Sequence, residues 1–82
     1  MCWDEAQAIV ELRAAGSVVR YLRKRHPELV VEDEDALRAE ILAAHDACDA
    51  SRYRAALRAW ALGAIEASYK AAGVPPTKRR VA

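Results

Sequence analysis

Residues 52–76 read RYRAALRAWALGAIEASYKAAGVPP, and this stretch decides the fold class. Tyr53, Leu57, Trp60, Ala64 and Ala67 recur at intervals of three and four, which lines them along one side of an α-helix. Most positions between them are alanine or arginine, which cost little in a helix because they lose few rotamers there. Gly73, the apolar Val74 and then Pro75-Pro76 form a Schellman-type stop, with glycine free to take the left-handed conformation. The spacing predicts a helix over 52–72.

Working outward, Leu37, Ile41, Ala44 and Cys48 make a second apolar stripe at i, i+4, i+7 and i+11. The run Glu32-Asp33-Glu34-Asp35 precedes it, and acidic groups are favoured at a helix N-terminus by the macrodipole. A helix over 35–48 follows. Asp49-Ala50-Ser51 is the expected break, with Asp49 or Ser51 as the next N-cap. No glycine or proline enforces that break, so one continuous helix is the alternative. Nearer the start, Asp4 with Gln7 suits a capping box, opening a helix over 5–15 that Gly16 should end. Ser17 would cap a short helix over 18–26, stopped by Pro27. Glu28-Leu29-Val30-Val31 reads as an extended connector that pins Leu29 or Val31 to the core. The expectation is an all-α bundle of three to four helices (5–15, 18–26, 35–48, 52–72) in one domain, 1–74, with a flexible basic tail, 75–82.

Composition narrows the functional classes. The chain has 82 residues and 9.0 kDa, with 6% aromatics and no phenylalanine, while alanine occurs nineteen times. Such a chain has little volume for a cofactor pocket, and no glycine-rich phosphate loop accompanies it. A non-enzymatic protein without cofactor or catalytic residues is expected. No apolar run approaches the ~18–20 residues a membrane span needs, so no membrane partner is expected. Met1 to Glu5 lacks a basic n-region, and the cytoplasm is the default location. Cys2 and Cys48 form no CxxC; two free thiols in a reducing compartment are the first expectation, and a disulfide between them the second. His45, Cys48 and Asp49 share one helical face, but a structural zinc needs a fourth ligand, so no metal is assigned.

The formal charge of +1 hides a segregation. Residues 1–26 carry +2, residues 27–50 carry −7 and residues 51–82 carry +6. Part of this must cancel internally when the acidic segment folds back on the basic last helix. The remainder would present faces of opposite sign to a partner and steer association.

Two stretches resemble known families. Residues 8–22, AIVELRAAGSVVRYL, followed by Arg23-Lys24-Arg25, resemble the helix-turn-helix of recombinase- and transposase-type DNA-binding domains. That resemblance implies Arg20, Arg23 and Lys24 in the major groove and Lys78, Arg79 and Arg80 on phosphates. The family's turn usually has one more residue, and an ordinary helical corner with a solvated basic face explains the same letters. Tyr53, Ala56, Leu57, Trp60 and Ala64 resemble the second helix of a tetratricopeptide repeat, with Ala44 and Ala47 at small positions of the first. Glu40 and Ser68 stand where that family prefers a bulky residue and a proline, and no second copy is present.

The favoured expectation is a small protein-binding adaptor, inhibitor or accessory factor of bacterial or phage type. Its surface would be Arg52, Arg54 and Arg58 with Tyr53, since Arg and Tyr are common interface anchors. The partner would be another protein with an acidic surface, and a homodimer would relieve the small-core problem. The alternative is a helix-turn-helix DNA-binding regulator using residues 6–26.

Overall fold

The computed structural model describes residues 4–74. Its elements are three helices, α1 (Glu5–Arg25), α2 (Glu34–Asp46) and α3 (Ala50–Ala71), and no strand occurs among the described residues. The expectation of an all-α bundle of three to four helices holds, with three formed.

The difference lies at Gly16. Instead of ending a helix there, the chain continues without a turn for 21 residues. Asp4 caps its start, accepting from the backbone N–H groups of Ala6 at 3.0 Å and Gln7 at 3.4 Å. A glycine inside a helix costs about 1 kcal/mol relative to alanine. Here one unbroken helix lays Ala8, Ala15, Val19 and Leu22 along α3, which a turn at Gly16 would forfeit. A Cβ built on Gly16 would lie 3.8 Å from Cη2 of Trp60, so the indole covers the backbone at that point. The helix stops at Arg25, with Pro27 two residues on, as expected.

Between α2 and α3 the chain does break, without glycine or proline. Cys48 takes the left-handed conformation at φ 58, its N–H donating to the His45 carbonyl at 3.1 Å. The Asp49 N–H reaches back to the Ala44 carbonyl at 2.9 Å. This is a Schellman closure. Asp49 then caps α3 by accepting from the Arg52 N–H at 3.1 Å. Cys48 is therefore an exposed turn residue, not the end of a buried stripe, and it is disulfide-bonded. The expectation of a free thiol at Cys48 is corrected accordingly; Cys2 lies outside the described residues. At the far end of α3, Gly73 at φ 76 and Val74 close the expected Schellman stop, with the Val74 N–H on the Tyr69 carbonyl at 2.9 Å. The basic tail, 75–82, lies outside the described residues.

α3 is the spine. The Tyr53 hydroxyl donates to the Ala8 carbonyl near the two N-termini, and Val19 meets Ala64 farther along, so α1 runs parallel to α3. α2, joined to α3 by the tight turn, runs antiparallel. Two buried clusters result. Ala8, Ile41, Ala44, Tyr53, Ala56 and Leu57 form one, and Val19, Leu29, Val31 and Ala64 the other. Trp60 packs against both and joins them. Leu29 and Val31 are both buried, so the connector after α1 is pinned as its sequence implied. Val31 crosses α3 at Gly63, where a Cβ would come within 3.1 Å of its Cγ1.

α1 and α2 each pack closely on α3, while their own backbones stay apart: no Cα of one lies within 8 Å of a Cα of the other. Three helices arranged this way leave one long side open.

Candidate protein-binding trough

The open side is a trough with α1 and α2 as walls and α3 as floor. One end is lined by Ala8, Ile9, Leu12, Ile41, Leu42 and Tyr53, and the adjoining part by Leu12, Arg38, Ile41, Leu42 and Trp60. The two hollows measure about 210 and 160 Å³. Ile9 is 46% exposed, Leu12 39% and Leu42 67%, although all three sit beside buried residues. Their exposure follows from helix geometry. Ile9 and Leu42 stand one position, or 100°, past the buried Ala8 and Ile41, so they top the walls instead of reaching the floor.

Long polar side chains bridge the trough at both ends. His45 Nε2 lies 3.1 Å from Glu5 Oε1 at one end. At the other, Glu34 accepts from Arg23 through Oε1 and from Trp60 Nε1 through Oε2, the latter at 2.9 Å. The Arg23 guanidinium, above all, and the indole N–H hold the Glu34 carboxyl below the ordinary carboxylate range, against the opposing effect of burial. What lies between the two bridges is apolar apart from the exposed Arg38.

The residues expected from sequence to bind a protein fall elsewhere. Arg52 forms a two-pronged pair with Glu40, at 2.9 and 2.7 Å, which lowers the Glu40 pKa. Arg54 Nε donates to Glu11 Oε1 at 2.8 Å, while the other Glu11 oxygen is buried without a hydrogen-bond partner. Tyr53 is core: it is 2% exposed, its hydroxyl donates to Ala8 at 2.8 Å, and burial first, then Glu11 and Glu5, raise its pKa. Arg58 is exposed and makes no ion pair among the described residues. These four residues do not converge on one free surface, because two arginines satisfy carboxylates of neighbouring helices.

Of the residues expected on DNA, Arg20 and Lys24 are exposed on α1, whereas Arg23 is turned to Glu34. The two-helix unit implied by the helix-turn-helix resemblance is not formed, since residues 5–25 are one helix. Lys78, Arg79 and Arg80 lie outside the described residues. Among the described residues no group of three or more His, Cys, Asp and Glu side chains could hold a metal ion. No described helix is long and apolar enough to cross a membrane.

The trough escaped the sequence reading, though a signal for it exists. Ile9 and Leu42 widen the apolar arc of their helices beyond what packing on one neighbour uses. No protein-family model, curated protein or solved structure matches this chain.

Proposed function

We propose that this chain is a small non-enzymatic protein-binding module whose recognition surface is the α1/α2 trough. The observation that carries this reading is the apolar lining, Ile9, Leu12, Ile41 and Leu42, left open between two helices whose Cα atoms stay more than 8 Å apart. A partner helix laid there would supply the apolar neighbours that a closed four-helix arrangement provides internally. Long apolar residues exposed together and bordered by charge are the usual composition of such a site. Arg58 and the paired Arg52 and Arg54 lie outside the trough, so they modulate charge and do not form the contact.

The test is a binding measurement with Leu42→Glu. Leu42 is exposed, so the change should leave the helical circular dichroism intact while abolishing association with whatever protein occupies the trough. Association unaffected by Leu42→Glu, measured on folded protein, would remove the trough as the recognition surface. Binding to duplex DNA that weakens steeply with salt and survives Leu42→Glu would favour the regulator reading instead.

A further inference from the structure

One end of the trough lies beside the first described residue. Asp4, extended at φ −74 and ψ 110, leads into α1, and Glu5 next to it reaches His45 of α2 at 3.1 Å. One turn beyond His45 stands Cys48, whose N–H donates to the His45 carbonyl at 3.1 Å. Cys48 is disulfide-bonded, and the only other cysteine in the sequence is Cys2. A disulfide holds its two Cα atoms about 4.4–6.8 Å apart, and two residues of chain span about 7 Å at most. A segment tied at Cys2 to the turn after α2 and at Asp4 to the start of α1 crosses from one wall of the trough to the other. Trp3 is the single residue between the tether and the cap. The helix start points the same way. With Asp4 as N-cap, Trp3 precedes the cap and Ala8 is the fourth helical residue, the two positions that pack together in a hydrophobic staple. Ala8 lines the hollow at this end. At about 210 Å³ that hollow is smaller than ligand pockets of about 300–1,000 Å³ and suits one large side chain.

We propose that the Glu5–His45 end of the trough is occupied by this chain's own residues 1–3, the Trp3 indole seated over Ala8 and a Cys2–Cys48 disulfide holding it there, so that the redox state of this pair controls how much of the trough a partner can use. The consequence for a partner rests on the trough being a protein-binding site; the seat itself does not. In the oxidised chain the end hollow is filled, and the adjoining part, lined by Leu12, Arg38, Ile41, Leu42 and Trp60, stays open. Release takes a dithiol reductant. One of its thiolates attacks the disulfide to give a mixed disulfide, and its second thiol resolves that bond. Two electrons and two protons pass to the cysteines, which become thiols, while the reductant leaves as its own disulfide. Cys48 lies in an exposed turn, which leaves the bond open to that attack. Once the tether is cut, the staple contact with the small Ala8 side chain is all that retains Trp3, and the apolar lining becomes available along its full length.

The experiment uses the full chain, oxidised and after treatment with dithiothreitol. Peptide mapping of the oxidised monomer without reductant should recover Cys2 and Cys48 in one cross-linked fragment. Proton NOEs should join the Trp3 indole to the Ala8 methyl and the His45 ring, and should be lost on reduction and in Cys2→Ser, with the helical circular dichroism retained. Cys48→Gly removes the other thiol while suiting the left-handed turn at φ 58, so it should lose the same NOEs with the turn kept. Absence of the cross-linked fragment, or a cross-linked chain without these NOEs, overturns the proposal. NOEs that persist after reduction overturn the redox control, because the tether then does not hold the segment. None of these readouts involves a partner, whereas recognition by the trough is decided by Leu42→Glu, so the two readings fail separately. A protein that binds in a Leu42-dependent way should bind the reduced chain more tightly. Trp3→Ala, which keeps the disulfide, should give the oxidised chain the same gain, and equal affinity for all three forms overturns the control of access.

Discussion

The Trp60 indole N–H donates to Glu34 Oε2 at 2.9 Å, while the other oxygen of that carboxylate takes Arg23. A single side chain from α2 thus ties the end of α1 to the middle of α3. It sits where the two core clusters meet, beside Trp60, which packs on both.

Glu34→Gln should therefore lower stability by about 1–2 kcal/mol, the range for a hydrogen bond to a charged group discounted for the partly exposed arginine. For a domain of this size that is a fall in melting temperature of about 4–8 °C per kcal/mol. Thermal unfolding followed by circular dichroism measures it; an unchanged midpoint would show that the clasp contributes nothing.

The same carboxyl sets an acid dependence. Its pKa in the fold lies below the unfolded value of 4.5, so its contribution is complete above that pH and is lost as pH falls through the folded value. Melting temperature should drop as pH is lowered from 5 towards 3, and Glu34→Gln should flatten that part of the profile. Glu40 shifts in the same direction but is paired at the surface, so Glu40→Gln should flatten it far less.

Tyr53→Phe should cost about 1 kcal/mol, the net worth of its bond to the Ala8 carbonyl, with the ring's packing retained. Wild-type stability should also decline as pH rises through the raised phenol pKa, since the fold favours the neutral form below it. Chemical denaturation at pH 7 and above pH 10 tests both statements, the second by a smaller decline in the variant.

The two helical glycines should answer alanine differently. At Gly16 an added methyl meets the Trp60 ring at an ordinary contact distance, so Gly16→Ala should raise stability by about 0.5–1 kcal/mol. Gly63→Ala would press a methyl to 3.1 Å from the buried Val31 and should gain less or lose. A destabilised Gly16→Ala would argue for a turn at that position.

Along the connector, burial predicts a sharp contrast between neighbours. Leu29→Ala should cost about 2–3 kcal/mol by opening a cavity, whereas Val30→Ala, on an exposed residue, should fall within about 0.5 kcal/mol of wild type. Urea midpoints for the two variants check this directly.

Much of the architecture is written in local pattern. The stripe from Tyr53 to Ala67, the Asp4 and Asp49 caps, the stops at Pro27 and Gly73 and the burial of Leu29 and Val31 all follow from periodicity and backbone chemistry. These need only residues a few positions apart. Gly16 could not be judged that way: its local preference to end a helix is about 1 kcal/mol, and packing of α1 along α3 outweighs it. The Schellman turn at Cys48 likewise has no glycine to announce it.

The site was less legible than the fold for the same reason. Arginine at 52 and 54 looks available in sequence, but Glu40 and Glu11, distant in the chain, claim both side chains once the helices pack. The charge blocks that a net +1 conceals are a property of the sequence alone. Which of those charges cancel inside the fold, and which line an open trough, depends on α1 and α2 both choosing α3 over each other. Helical spacing names the apolar faces of each segment; only the three-dimensional arrangement decides which of those faces remains uncovered.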